Sequence, residues 1–173
     1  MARSVNLGES AALRLISPSP ARTRRIGRRL GELAGAGDLF CLRGPLGAGK
    51  TVFAQGLAQG LGAADGLVSP SFTLVHEHRA RGGLACYHVD LYRLSPEAVG
   101  ELGLEDYLER GGVVVIEWAE RAPSGLLGDR LEVEFAFGQG LKERELTFRP
   151  VGARAAELAR RLSRLSPRKA DQG

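Results

Sequence analysis

The sequence predicts a three-layer α/β domain in which helices flank a mixed β-sheet. Its 173 residues, 43% hydrophobic and 25% charged, suit one compact unit with a single core rather than two ordinary domains. Short apolar runs alternate with helical patterns, which favours helices packed on a sheet, and short turns between some runs favour antiparallel pairing. We therefore expect residues 1–150 to form one domain, to which the helix and polar tail of residues 151–173 also belong.

The first half of the chain predicts two strands, each followed by a helix. AALRLI, residues 11–16, has the pattern of a short strand, and Ser19 and Pro20 suit the N-cap and first position of a helix. LFCL, residues 39–42, is a continuous apolar run, as expected of a strand buried on both faces. A helical pattern then runs from near Gly49 to about Gly62.

The second half predicts two hairpins, with helical material and a central strand between them. LVSPSFTLVHEH and LACYHVD flank the short turn RARGG and should pair antiparallel. Residues 96–110 have a helical pattern that Gly100 and Gly103 interrupt or soften. The remaining predicted elements are a β-branched strand, two alternating strands around a turn at residues 138–140, and an amphipathic helix: VVVIEWAER, RLEVEFAF, ERELTFRP and ARAAELARRLSRL.

Composition argues against several classes of protein. No apolar run approaches the roughly 20 residues that cross a bilayer, and no signal sequence begins the chain, so we expect a cytoplasmic protein without membrane contact. Cys41 and Cys86 lie 45 positions apart in apolar segments, which favours buried free thiols over a disulfide or a zinc site. The ends are basic and the middle acidic; a solvated basic face explains this better than an RNA or acidic-protein contact.

The strongest motif is GPLGAGKT, residues 44–51, which matches G-x-x-x-x-G-K-[ST] between an apolar strand and a helical pattern. Gly47 and Gly49 allow backbone N–H groups to approach phosphate oxygens, and the N-terminus of the following helix adds partial positive charge. Lys50 should bridge the β- and γ-phosphates, and the hydroxyl of Thr51 should contact Mg²⁺. The motif therefore predicts a phosphate-binding loop, or P-loop, for a nucleoside triphosphate.

Two carboxylates are candidates for the rest of the site. Asp90 ends LACYHVD and Glu117 ends VVVIE, and the tips of neighbouring strands lie close together beside such a loop. Either residue could hold the metal while the other orients the attacking water, because spacing does not separate these roles. Trp118 directly follows Glu117, so a role lining the site is about as plausible as an ordinary core position.

Three further features bear on the class of protein. Ser69, Ser71 and Thr73 offer hydroxyls in a segment where nucleotide-sensing loops respond to the γ-phosphate, although a plain turn is an equal interpretation. His76 and His78 make a poor metal site without a third ligand. No [NT]-K-x-D guanine clamp is present, which favours ATP over GTP, and the open classes are an ATPase, a small-molecule kinase with lid arginines at positions 79 and 81, and a slow nucleotide switch.

The ordered set GPLGAGKT, SPSFTLV, YHVDLYRL and VIEW resembles the TsaE (YjeE) family, the bacterial ATPases of tRNA threonylcarbamoyladenosine (t6A) synthesis. The resemblance implies a single P-loop ATPase domain, with ATP and Mg²⁺ as cofactors, that acts on the TsaD and TsaB proteins and meets tRNA only indirectly or weakly. A small-molecule kinase using the same loop is the alternative.

The same resemblance implies roles for individual residues. Lys50 and the amides of the loop bind the phosphates, Thr51 and Glu117 coordinate Mg²⁺, and Trp118 lies next to the nucleotide. Asp90 supports hydrolysis, with Lys50 and Glu117 as the other catalytic candidates. The loop amides are those of Gly47, Ala48, Gly49, Lys50, Thr51 and Val52.

Overall fold

A seven-stranded mixed sheet forms the centre of the protein in the computed structural model, which describes residues 12–63, 74–123 and 125–165. Its strands, in chain order, are β1 (Leu13–Ser17), β2 (Leu39–Arg43), β3 (Val75–Arg79), β4 (Ala85–Asp90), β5 (Val113–Glu117), β6 (Arg130–Phe137) and β7 (Arg144–Val151). The helices are α1 (Pro20–Leu33), α2 (Lys50–Leu61), α3 (Pro96–Glu101), α4 (Leu104–Glu109) and α5 (Ala153–Leu165). Short 3₁₀ turns span Arg81–Gly83 and Ala119–Arg121.

The spatial order of the strands is β1-β7-β6-β2-β5-β4-β3. The pairs β6–β2, β2–β5 and β5–β4 are parallel, whereas β1–β7, β6–β7 and β3–β4 are antiparallel. The two predicted hairpins and the mixed sheet are therefore confirmed. Because β2, β4 and β5 run in one direction, their carboxyl ends meet at one edge of the sheet.

Two apolar clusters lie on opposite faces of the sheet and account for the three predicted layers. The larger one is covered by α1, α2 and α5 and includes Phe40, Phe53 and Phe148. The smaller one is covered by α3 and α4 and includes Cys41 and Ile116. Alternate residues of β2 enter different clusters, as expected of a strand buried on both faces.

Helix α1 begins where the sequence predicts. The side chain of Ser19 accepts a hydrogen bond from the backbone N–H of Arg22 at 3.2 Å, and Pro20 occupies the first turn. Ile26 and Leu30 are buried against the core. Helices α1 and α2 pack through glycines at positions 27, 31, 56 and 60, a close approach that the sequence analysis missed.

Three predicted elements differ from the structure. The pattern of residues 96–110 forms two short helices rather than one, because Gly103 has a φ of 67° and caps α4 in the left-handed region. The strand predicted over VVVIEWAER ends at Glu117, since Trp118 turns the backbone with a φ of 58°. The first strand is displaced slightly, to Leu13–Ser17.

Candidate functional site

The P-loop connects β2 to α2 at the edge where the parallel strands end. Gly44 must be glycine there, because a Cβ would lie 2.5 Å from the carbonyl oxygen of Phe135. Gly49 caps α2 with a φ of 99° and offers no side-chain acceptor to the first turn. The first N–H groups of a helix have no partners within the helix, so this end of α2 can receive an anion.

Lys50 is 5% exposed and lies folded over the loop. Its Nζ donates hydrogen bonds to the carbonyl oxygens of Gly44, at 2.6 Å, and Pro45, at 2.9 Å. The ammonium also lies 4.0 Å from the ring centre of Trp118, a cation–π distance. Burial lowers the pKa of Lys50, while nearby carboxylates, chiefly Glu117, oppose that shift. The P-loop therefore contains a desolvated ammonium group that is hydrogen-bonded to the loop's own carbonyl oxygens.

Thr51, Glu117 and His88 form a hydrogen-bonded chain that runs from the half-buried Thr51 to the buried His88. The hydroxyl of Thr51 donates to Oε2 of Glu117 at 3.0 Å, and Nε2 of His88 bonds Oε1 of the same carboxylate at 2.8 Å. Glu117 is 2% exposed and His88 is fully buried. Both carboxylate oxygens are thereby oriented, with one of them directed at the hydroxyl beside the P-loop.

Asp90 lies directly opposite Glu117 in the register of β4 with β5. The strand tips are thus neighbours, as predicted. Oδ1 of Asp90 accepts a hydrogen bond from the backbone N–H of Tyr92 at 2.9 Å, which fixes the carboxylate at the end of its strand. Burial raises the pKa of Asp90, and the charge of Glu117 adds to the increase. A carboxylate with a raised pKa is a stronger base than an ordinary aspartate.

Trp118 forms one wall of the site and also packs, partly buried, against the smaller apolar cluster. Its backbone is left-handed, and its ring lies against that of Tyr92 with ring centres 4.8 Å apart and an interplanar angle of 34°. The guanidinium of Arg121 lies 5.6 Å from both rings and donates to the carbonyl oxygen of Tyr92 at 2.6 Å. A left-handed tryptophan costs roughly 1–2 kcal/mol, and these contacts offset that cost.

These groups surround one cleft of about 290 Å³. It brings together most of the residues predicted from the sequence, namely Gly47, Gly49, Lys50, Thr51, Asp90, Glu117 and Trp118. Two predicted loop residues do not line it: Ala48 is buried, with its N–H bonded to the carbonyl oxygen of Pro45, and Val52 lies within α2. Their proposed amide contacts with phosphate stay predictions.

Sequence reasoning missed several residues that line the cleft, and also His88, which lies behind the cleft and bonds Glu117. His88 precedes Asp90 by two positions on a strand, so a shared face was the available signal. Leu46, Tyr92 and Arg93 also line the cleft, and their places within the motifs GPLGAGKT and YHVDLYRL were the available signal. The predicted hydroxyls of Ser69, Ser71 and Thr73 lie outside the described residues.

Other predicted features have structural roles. His76 and His78 belong to β3, with ring centres 6.1 Å apart, and no metal-like cluster of three His, Cys, Asp or Glu side chains occurs in the described ranges. Arg81 donates to the backbone carbonyls of Gly60, near the end of α2 opposite the P-loop, and of residues 31, 32 and 34 at the end of α1. It therefore joins the β3–β4 turn to α1 and α2 and does not supply a lid over the cleft.

The cysteines and the helices complete the comparison with the sequence. Cys41 and Cys86 are buried free thiols, as predicted, and burial raises the pKa of each to about 12. No helix within the described part of the chain combines the length and apolar character needed to cross a membrane.

The part of the chain that carries the cleft matches a known protein family. The family model described as threonylcarbamoyl adenosine biosynthesis protein TsaE matches residues 17–146, which include the P-loop, Asp90 and Glu117. The chain belongs to the TsaE family. The resemblance identified from the four sequence motifs is confirmed by this match.

Curated members of the TsaE family align over most of this chain. A Bacillus subtilis protein named tRNA threonylcarbamoyladenosine biosynthesis protein TsaE is 40% identical over 146 residues, covering 84% of this chain and 90% of the relative. A Streptomyces coelicolor protein of the same name is 40% identical over 139 residues, covering 77% and 93%. The crystal structure of Bacillus subtilis YdiB has a TM-score of 0.71 at 36% identity, covering 90% of this chain and 96% of that one. The predicted α/β fold is thereby confirmed.

Proposed function

We propose that this protein acts in tRNA threonylcarbamoyladenosine biosynthesis by binding Mg²⁺ and ATP in the cleft and hydrolysing the ATP. The observation that carries the proposal is the convergence of Lys50, Thr51 and Glu117 at the N-terminus of α2. Relatives that share this chain's P-loop region are named as tRNA threonylcarbamoyladenosine biosynthesis proteins, which supports the pathway.

Phosphate binding follows from the open end of α2. The first amides of the helix and its partial positive charge attract the β- and γ-phosphate oxygens. Lys50 exchanges its hydrogen bonds to Gly44 and Pro45 for charge-assisted bonds to phosphate. Because its ammonium is already desolvated in the loop, little further desolvation opposes this exchange.

The donor set suits magnesium. Mg²⁺ prefers hard oxygen ligands and is commonly held by one or two protein oxygens together with substrate phosphates. The hydroxyl of Thr51 and the carboxylate of Glu117 lie 3.0 Å apart beside the P-loop, and these two residues would hold the ion. When bound, the ion neutralises charge on the phosphates.

Asp90 orients and deprotonates the attacking water in this proposal. Asp90 faces the same cleft as Lys50, and the N–H of Tyr92 keeps one of its carboxylate oxygens in place. Burial raises the pKa of Asp90, so its carboxylate is a stronger base than that of an ordinary aspartate. The products are ADP and inorganic phosphate. Glu117 is already committed to Thr51 and His88, so the two carboxylates divide the metal and water roles between them.

TsaD and TsaB are the proposed partners that receive the energy of hydrolysis, an inference from the family resemblance, with tRNA met only indirectly or weakly. A small-molecule kinase needs arginines that close over the acceptor. In the β3–β4 turn, Arg81 instead bonds backbone carbonyls at the ends of α1 and α2, away from the cleft, which favours the ATPase over the kinase.

The test is phosphate release from ATP by the purified protein, alone and with TsaD and TsaB. We expect strong stimulation by the two partners. Lys50→Ala should abolish nucleotide binding, whereas Lys142→Ala, which removes an exposed lysine from the β6–β7 turn, should leave it unchanged. Asp90→Ala should retain binding in a calorimetric titration and lose hydrolysis. Equal loss of both in Asp90→Ala would contradict the role of Asp90, and rapid turnover only with a small-molecule acceptor would favour the kinase.

A further inference from the structure

We propose that His88 is a positioning residue that holds the carboxylate of Glu117 in the orientation required to bind the metal. This inference rests on the proposed function, because it concerns the Mg²⁺ that accompanies ATP. His88 contacts neither the cleft nor the P-loop and acts only through Glu117.

The geometry fixes both oxygens of one buried carboxylate. Oε1 of Glu117 receives the bond from His88 at 2.8 Å, and Oε2 receives the bond from Thr51 at 3.0 Å. A carboxylate rotates freely about its last bond unless both ends are held. Without His88, Oε1 would be left buried without that donor and the group could rotate away from Thr51.

The environment of His88 shows which nitrogen carries the hydrogen. A carboxylate oxygen accepts, so Nε2 must donate. Nδ1 is buried and has no hydrogen-bond partner among the described residues. An unpaired buried N–H is unfavourable, so the bare nitrogen is Nδ1 and the ring is the Nε2–H tautomer. The one hydrogen bond of the buried His88 ring is therefore directed at Glu117.

The strand explains how His88 reaches Glu117. Cys86, His88 and Asp90 alternate on one face of β4, and His88 is paired with Val115 of β5. Glu117 is two residues beyond Val115 on the same face, next to Asp90. The imidazole therefore spans diagonally between adjacent strands, where side chains of this length make contact.

The experiment measures the Mg²⁺ dependence of nucleotide affinity for the whole protein. A non-hydrolysable ATP analogue is titrated by calorimetry without metal and at increasing Mg²⁺, and bound Mn²⁺ is counted by electron paramagnetic resonance. His88→Leu removes the donor, while His88→Gln keeps an N–H at about the position of Nε2. The matched control is Val115→Ala, which perturbs packing beside His88 without changing a bond to Glu117.

We expect His88→Leu to raise the Mg²⁺ concentration that gives half of the gain in nucleotide affinity by about 10- to 100-fold. Its affinity for the nucleotide without metal should stay within about 2-fold of wild type. His88→Gln should restore the metal dependence to within about 3-fold, and Val115→Ala should not shift it. A purely structural role would lower affinity with and without metal alike and would not be rescued by Gln. The proposal is overturned by equal losses of affinity with and without metal, or by an unchanged Mg²⁺ dependence in His88→Leu.

Two outcomes separate this proposal from the proposed function. If Mg²⁺ has no effect on the nucleotide affinity of the wild-type protein, both the metal site of the proposed function and the positioning role of His88 are refuted. If wild type responds to Mg²⁺ and His88→Leu responds equally, only the role of His88 is wrong. If His88→Leu does not fold, the comparison of His88→Gln with His88→Asn tests the proposal instead. The shorter Asn side chain cannot reach Glu117, so His88→Asn should require more Mg²⁺ whereas His88→Gln should not.

Discussion

Gly60→Ala should destabilise the protein even though it replaces glycine inside a helix. Alanine is normally favoured over glycine in a helix by about 1 kcal/mol. At Gly60, however, the added Cβ would lie 2.0 Å from the carbonyl oxygen of Arg28 on α1, and its other near neighbours are also backbone atoms. Backbone cannot move aside as a flexible side chain can, so α1 and α2 must separate.

The size of the effect follows from the required displacement. The contact must open from 2.0 Å to at least 3.0 Å, the lower limit of real Cβ contacts. Overpacking of this kind costs about 1–3 kcal/mol or more, and separation also loosens the buried side chains between the helices. The net expected loss is about 2 kcal/mol after the gain in helix propensity, which lowers the melting temperature by about 4–8 °C for a protein of this size.

Thermal unfolding followed by circular dichroism checks this prediction against a matched substitution. Gly100→Ala adds the same methyl group to α3, where no atom lies within 4 Å of the new Cβ, and it should raise stability by up to about 1 kcal/mol. Because α2 carries Lys50 at its first position, Gly60→Ala should also weaken nucleotide binding while Gly100→Ala should not. A melting temperature of Gly60→Ala equal to or above wild type would refute the reasoning.

Two further predictions concern ionisable groups whose pKa is raised by burial, partial for Asp90 and complete for the two cysteines. Burial raises the pKa of Asp90, so the folded state binds its proton more tightly than the unfolded chain, and the ionised group lowers stability at neutral pH. Asp90→Asn should therefore raise the melting temperature at neutral pH, and the advantage should shrink as the pH falls through the raised pKa; an equal advantage at acid pH would contradict this. Cys41 and Cys86, each with a pKa raised to about 12, should resist a thiol-reactive disulfide reagent until denaturant is added, and rapid labelling of the native protein would show that they are not buried as described.

Much of the fold could be predicted from local sequence patterns, because the interactions that produce those elements are themselves local. Ser19 and Pro20 determine the start of α1 through a hydrogen bond and a dihedral angle that need no distant partner. The turn at residues 138–140 similarly predicts the β6–β7 hairpin. The left-handed turn at Trp118 was not predictable this way, because tryptophan rarely has a positive φ and the contacts that support it come from Lys50 and Tyr92.

The glycines between α1 and α2 mark the limit of sequence reasoning for the core. A spacing of four within each helix puts Gly27 with Gly31, and Gly56 with Gly60, on one face. The spacing alone does not say that these faces meet. Only the packed structure shows that the backbones approach so closely that any side chain would separate them.

By itself the sequence determined the P-loop, the strand-end carboxylates and the family, because each depends on residue types at short spacing. Tertiary structure decided how the carboxylates differ: Glu117 is held between Thr51 and His88, whereas Asp90 is held by the amide of Tyr92 and faces the cleft. The roles proposed for the two carboxylates rest on this three-dimensional difference, because a hydrogen bond from β4 to β5 depends on strand register, which joins residues 29 positions apart in the chain.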